Sequence, residues 1–273
     1  MPRIPLEDNF TDVLGKAQRG QHLTDAQLAD KAGVPPKEIA ALKSGEIKEF
    51  ALRAVARALK LGPNALVGLA RQEWYPEQPL FPRGFAMFNT VYEDMTVNSY
   101  LVWDPRTRLA AAFDTGADAS GLLDVVSASG LSLRYLFITH AHEDHIADLD
   151  RLAGTGAEIW ISEKEPFNHP QAKRFKENAH FHLGEIAIKT LLTWGHSPGQ
   201  TTFYVTGLAW PLAIVGDSLF AGSMGGSPTH YADQYRNNRR LILNLPSDTV
   251  LACGHGPLTT LKQEKLHNPF FTR

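Results

Sequence analysis

The densest chemistry in the chain lies in Thr139-His140-Ala141-His142-Glu143-Asp144-His145. Four of these residues, His140, His142, Asp144 and His145, carry imidazole or carboxylate groups that ligate metals. They follow an apolar, strand-like run, Tyr135-Leu136-Phe137-Ile138. Alternate residues of an extended segment face the same way, so His140 and His142 can share one ion. Asp144 and His145 fall at the turn into a helix and can face a second ion. Nitrogen and oxygen donors of this kind suit zinc, and also iron or manganese. A lone histidine is ordinarily a surface or satisfied core residue. Four ligand-type side chains crowded behind a buried strand are hard to explain that way.

Three more candidates stand alone, each after an apolar run and beside glycine. His196 sits in Gly195-His196-Ser197-Pro198-Gly199, which ends in a tight Pro-Gly turn. Asp217 ends Leu212-Ala213-Ile214-Val215-Gly216, and a carboxylate there would bridge two cations. His255 lies between Gly254 and Gly256, which let backbone approach a site closely. Two cations lower the pKa of a shared water and give hydroxide at neutral pH. Asp144 could also orient that hydroxide, which makes it the catalytic candidate as well as a ligand. No Gly-x-Ser-x-Gly elbow is present, and Cys253 reads as a buried strand thiol. Asp114, at the end of another apolar run, could fix the tautomer of a ligand histidine. Asn98 reads as a turn residue. His230 and Tyr231 could line a substrate mouth, whereas His180 and His182 read as exposed strand residues.

The elements that must position these groups form two patterns. Residues 1–72 carry apolar side chains at three- and four-residue spacing, among them Leu28, Ala32, Ile39, Leu42, Leu52, Val55 and Leu59. Thr24-Asp25-Ala26-Gln27 is a capping box, Gly33 a stop, and Pro35-Pro36 a restart. This predicts a small all-helical domain. Residues 73–84 contain Pro76, Pro79 and Pro82, which predict an extended linker. Residues 85–273 then alternate short strands with helices. Strands are predicted at 85–92, 99–103, 109–113, 134–139, 158–162, 186–193, 201–205, 212–216 and 249–253. Helices are predicted near 119–129, 146–153, 231–243 and 260–267. The fold class is therefore α/β, preceded by a helical unit.

Composition bounds the function. With 273 residues, 43% hydrophobic and 21% charged, the chain can bury a sizeable core. A net charge of -2 gives no general bias toward nucleic acid or anionic membrane. A single cysteine forbids an intrachain disulfide and fits a reducing compartment. No signal-like start or membrane-long apolar run is seen, so a cytoplasmic location without membrane association is the expectation.

The His-x-His-x-Asp-His signature, Gly195–Gly199, Gly216-Asp217-Ser218-Leu219-Phe220-Ala221-Gly222 and Gly254-His255-Gly256-Pro257 occur in a characteristic order. From about residue 85 onward the sequence resembles the metallo-β-lactamase-fold superfamily, and more narrowly its glyoxalase-II-like hydrolases. The resemblance implies an αββα sandwich with two divalent metal ions, zinc first, at one edge. His140, His142 and His196 would hold one ion, Asp144, His145 and His255 the other, and Asp217 would bridge them. A hydroxide between the metals would attack a small-molecule ester, thioester or lactone. Glutathione specificity is not expected, because the family's helical C-terminal extension does not follow Pro269-Phe270-Phe271. The bridging aspartate argues against antibiotic hydrolysis. The alternatives are a mononuclear iron persulfide dioxygenase on the same scaffold, or a DNA-binding regulator using the metal domain as a sensor.

Leu23 to Val34, with Ile39 and Leu52 to Leu59, resembles a Cro/C1-type helix-turn-helix. Its second helix, Pro35 to Lys43, offers no Arg, Asn or Gln to read bases. Residues 1–72 hold 11 Lys+Arg against 8 Asp+Glu, an excess of 3, which is small for a DNA footprint. The expectation is a helical module that covers the active site or forms a homodimer, and not one that binds specific DNA.

Overall fold

The computed structural model describes residues 3–272. Among them, five helices come first: α1 (Phe10–Gly20), α2 (Asp25–Ala32), α3 (Pro36–Lys43), α4 (Glu49–Ala58) and α5 (Pro63–Ala70). Next come β1 (Phe85–Tyr92), β2 (Met95–Trp103), β3 (Leu109–Phe113), α6 (Ser120–Ala128), β4 (Ser132–Phe137), α7 (Glu143–Ile146) and α8 (Leu149–Ala153). The strands β5 (Glu158–Ser162), β6 (Ala172–Phe175), β7 (His180–Leu183), β8 (Ile186–Leu192), β9 (Thr201–Thr206) and β10 (Leu212–Gly216) follow. Helix α9 (Tyr231–Asn237) runs into a π-helical turn (Asn238–Ile242), and β11 (Val250–Cys253), β12 (Thr259–Thr260) and α10 (Leu261–His267) finish the chain.

The described strands form two six-stranded sheets, ordered β1-β2-β3-β4-β5-β6 and β12-β11-β10-β9-β8-β7. In the first sheet β3 to β6 run parallel, and in the second β10 and β11 do. Period-two alternation assigns each side chain to a layer. In β3, Ala111 and Phe113 point between the sheets while Ala110 and Ala112 point outward. In β10, Leu212 and Ile214 face inward while Ala213 and Val215 face outward. Both faces of these strands are covered, which is why they read as continuous apolar runs. At the centre of the inner layer Phe113 stacks on Phe137, and Phe203 meets the first edge-on and the second at a tilt. Helices α6 and α8 cover the outer face of the first sheet through Leu122, Leu149 and Leu152.

The outer face of the second sheet is covered by the N-terminal helices. One core joins Val13, Leu14, Leu28, Leu52, Leu66 and Leu69 to Ala213, Val215, Leu219, Leu251, Phe270 and Phe271. Gly62 N donates to Pro269 O at 2.7 Å, which ties the start of α5 to the C-terminal segment. The helices themselves follow local rules. Thr24 and Gln27 cap α2 reciprocally at 2.8 and 3.2 Å, and Gly33 closes it with φ 66°. Residues 73–84 contain no regular element, as three prolines dictate, but they are not a free tether. Tyr75 Oη donates to Ile4 O at 2.7 Å and Gln78 Nε2 to Leu258 O at 2.8 Å. No helix among the described residues is long and apolar enough to cross a membrane.

Several sequence expectations shift. The strand expected from Ser99 begins at Met95, because Tyr92 pairs with Met95 across a hairpin turn where Glu93 has φ 54°. Asn98 therefore lies mid-strand, not in a turn. The helix expected over 146–153 is broken into α7 and α8. The edge strands β6 and β12 carried too little alternation to be read.

All five tryptophans lie at residue 74 or later, so their fluorescence reports the sandwich and not the helices. Leu66→Ala, at a fully buried position in α5, should cost about 2–5 kcal/mol. The tryptophan and far-ultraviolet circular dichroism transitions should fall together. A tryptophan transition that stays at the wild-type temperature would show that helices and sandwich unfold separately.

Candidate metal centre

The loops after β3, β4, β8, β10 and β11 meet at one edge of the sandwich. They bring His140, His142, Asp144, His145, His196, Asp217 and His255 into one cluster. His142 Nδ1 lies 3.0 Å from both His140 Nε2 and His196 Nε2. Asp144 Oδ2 lies 3.2 Å from His255 Nε2 and 3.5 Å from His145 Nε2. Asp217 stands between the two groups. Its Oδ1 is 3.3 Å from His145 Nε2, and its Oδ2 is 3.4 Å from His196 Nε2 and 3.5 Å from His255 Nε2. Three sets, His140/His142/His196, His140/His145/Asp217 and Asp144/His145/His255, each bring donor atoms within 4.8 Å of one another.

The remote ring nitrogens fix the tautomers. His196 Nδ1 donates to Gly226 O at 2.8 Å and His255 Nδ1 to Thr96 O at 2.7 Å. His145 Nδ1 donates to Asp114 Oδ2 at 2.8 Å. Thr139 Oγ1 donates to Asp114 at 2.8 Å and so accepts from His140 Nδ1 at 3.0 Å. In all four rings this turns Nε2, the nitrogen left to ligate a metal, toward the cluster. His145 Nε2 and Asp217 Oδ1 are buried without a hydrogen-bond partner. Orphaned buried atoms are rare, and this pair, with nitrogen and oxygen donors around it, fits a divalent cation.

Electrostatics point the same way. Burial holds His140 well below the usual histidine range, with the charge of His145 adding to the effect, and burial also lowers His196. Burial pulls on His145 and His255 too, but the carboxylates outweigh it. Asp114 and Asp217 bring His145 up to about 10, and Asp217 and Asp144 bring His255 up to about 11. Asp217 resists burial because His255 and His145 hold its carboxyl well below the usual range. Without metal, the cluster balances buried carboxylates with protons, and a cation would take the place of those protons.

Backbone shape is part of the design. A Cβ on Gly254 would collide with Asp217 Oδ1. Asp114 adopts φ 54°, a left-handed conformation rare outside glycine and tolerated best by Asp and Asn. There it accepts from Thr139 N at 2.7 Å as well as from His145.

Of the weaker candidates, His230 is half-exposed at the start of α9, 5.5 Å from the Trp194 ring beside the His196 loop. Tyr231 is placed elsewhere. It packs against Phe270 and against Gly20 of α1, a contact between helices. Cys253 is buried, and burial pushes its thiol up, away from reactivity.

Three residues to which the sequence assigned no role in the site hold the loops. Asn98 Nδ2 donates to Cys253 O and Gly256 O at 2.9 and 2.8 Å, on either side of His255. Glu165 accepts from Ala141 N, Ser197 Oγ and Gly199 N at 3.0, 2.8 and 2.7 Å, joining the loops of His140 and His196. Glu264 accepts from Gly222 N at 3.1 Å and from Thr259 and Asn268, joining the Asp217 loop to α10. Glu165 lies in no motif. A polar residue inside an apolar strand, as at Asn98, was the one available signal.

The pattern of the metallo-beta-lactamase superfamily matches residues 92–255, more than half of the chain. The chain belongs to that superfamily and is an enzyme of the metal-dependent hydrolase class. It is similar to the hydroxyacylglutathione hydrolase GloC of Haemophilus influenzae, 32% identical over 197 residues, covering 63% of this chain and 92% of that protein. Its fold is similar to ETHE1 from Myxococcus xanthus, with a TM-score of 0.59 at 23% identity, covering 67% of this chain and 83% of that one. It is also similar to TTHA1623 in a di-iron-bound form, with a TM-score of 0.54 at 25% identity, covering 67% and 99%.

Two outcomes follow from this geometry. Asp114→Ala should weaken metal binding roughly 10- to 100-fold by freeing the His145 ring, measured by competition with a chromophoric chelator. An unchanged affinity would show that the ring needs no partner. Burial raises the Glu264 carboxyl from 4.5 to about 7. Its folded value is above its unfolded one, so its stability contribution is full below pH 4.5 and is lost as pH rises through 7. The melting temperature of wild type should drop between pH 5 and 8 more than that of Glu264→Gln. Parallel profiles would contradict the shift.

Proposed function

We propose that the protein is a binuclear metallohydrolase of carboxylic esters, thioesters or lactones. What carries this reading is the convergence of seven donor side chains around the orphaned atoms of His145 and Asp217. His140, His142 and His196 would hold one divalent ion, Asp144, His145 and His255 a second, and Asp217 would serve both. Zinc suits the donor set, and iron or manganese would be accepted by the same atoms. Bound there, the ions would supply a water-derived nucleophile at neutral pH and polarise the acyl oxygen. Asp144 stays ionised despite burial, because His255 hydrogen-bonds to it. Its carboxylate can take a hydrogen bond from the attacking water and orient it. His142 is exposed and marks the side on which substrate reaches the cluster. The similarity to GloC supports an acyl-thioester substrate, with hydroxyacylglutathione as one member of the class to be tried.

The helices at 10–70 keep their resemblance to a helix-turn-helix, but the packing supports a covering role over DNA recognition. Lys43 of α3 is held by Asp25 at 2.9 Å, and Lys48 by Glu38 at 3.3 Å. The division at residues 72 and 85 is retained as a boundary in sequence. The core continues across it.

Metal analysis of protein purified without added metal should give about two equivalents per chain. Asp217→Asn should lower both metal content and ester or thioester turnover, the latter roughly 100-fold or more. One equivalent of iron with oxygen uptake on persulfides would replace the hydrolase by an oxygenase.

A further inference from the structure

The segment ahead of α1 crosses the molecule to the metal-centre edge. It passes over Gly256, the residue after His255: a Cβ there would lie 3.1 Å from Glu7 N, 3.5 Å from Pro5 O and 3.6 Å from Glu7 Cβ. The segment is pinned on both sides of Glu7. Tyr75 Oη holds Ile4 O at 2.7 Å, and the Arg3 guanidinium lies over the Tyr75 ring. Asp8 is buried, accepts from Ser223 Oγ at 2.5 Å and pairs with Lys16. Ser223 belongs to the loop that follows Asp217.

Glu7 is thereby fixed with its carboxylate in the field of His255 and Asp217. Burial raises its carboxyl above the usual range, with Asp8 and Asp217 adding to the effect and the charges of His255 and Lys16 opposing it, and it makes no hydrogen bond to a described residue. Lys16 is engaged by Asp8 and lies over the Phe220 ring, whose edge meets His255. A half-buried carboxylate beside a reaction centre acts on whatever part of the substrate lies there.

We propose that Glu7 is a specificity-determining residue of the metal centre. Its negative charge selects against acyl substrates that carry a carboxylate next to the scissile group and favours neutral or ammonium-bearing ones. The proposal rests on the metallohydrolase reading, and it assigns part of the substrate wall to the N-terminal segment. Charge selection of this kind is electrostatic, so it weakens with added salt.

The test uses the full chain loaded with cobalt and three short thiols of equal length: mercaptoacetate, 2-mercaptoethanol and cysteamine. Thiolate binding is followed by the cobalt absorption spectrum, which needs no turnover. Relative to 2-mercaptoethanol, mercaptoacetate should bind roughly five- to thirty-fold better in Glu7→Gln than in wild type. Glu7→Lys should shift the ratio further, Glu7→Asp should keep it near wild type, and the Glu7→Gln gain should shrink in high salt. Ratios that do not move in Glu7→Gln and Glu7→Lys, with all three thiols bound, would overturn the proposal alone. Cobalt loading or thiol binding absent altogether would overturn the metallohydrolase reading and this proposal together. If thioesters are hydrolysed, kcat/KM for carboxylate- and ammonium-bearing leaving groups must follow the same ratio.

Discussion

The structure depends on keeping the Asp217 carboxylate ionised in a place water does not reach. A carboxylate moved from water into a protein interior costs several kcal/mol unless opposite charge and hydrogen bonds offset it. Here the offset comes from imidazoles on two separate loops, His145 and His255, at 3.3 and 3.5 Å, while His196 stands 3.4 Å away. These rings can stand so close only because each is held from behind. Asp114, Gly226 O and Thr96 O take the remote nitrogens, so neither tautomer nor ring angle is free. The loops in turn are held by Asn98, Glu165 and Glu264, which connect them to each other and to both sheets. The centre is thus the point where the two sheets are tied together, and its order is the order of the whole sandwich edge.

The N-terminal helices change how the sandwich is completed. In a four-layer α/β arrangement, something must cover the outer face of each sheet, because strands such as β10 and β11 are apolar on both sides. On the first sheet the covering helices come from within the strand sequence. On the second, α1 to α5 share the task with α9 and α10, and the core is continuous through Leu66, Val215 and Phe270. A segment fixed by that packing can reach the site, and Pro5 to Asp8 do so beside Gly256. Local helix signals in residues 10–70 and the chemistry of residue 255 are therefore linked through packing, with no continuity in sequence.

Much could be read from residue order alone. Capping residues and glycines gave the helix boundaries near Thr24 and Gly33, since those signals are local. Apolar runs gave the principal strands, since both of their faces are buried. The crowding of His140, His142, Asp144 and His145 stood out because ligand types seldom cluster by chance. Asp217 and His255 stood out because each follows a buried strand beside glycine. For Tyr231 the sequence leaves two roles open, because an aromatic residue near a helix start suits a site wall and a helix contact equally well, and the contacts with Gly20 and Phe270 appear only in the fold.

What the sequence determined by itself is the local grammar: helix caps, strand periodicity, turns, and the chemical kind of each donor group. What the tertiary structure alone decided is company. Asn98 clamps a loop 155 residues away, Glu165 joins two loops, and Glu7 passes over Gly256 from the opposite end of the chain. Such pairings depend on how two sheets and a helical cover pack. Packing is a property of shapes brought together across long sequence separations, and it leaves no mark in the neighbours of any one residue.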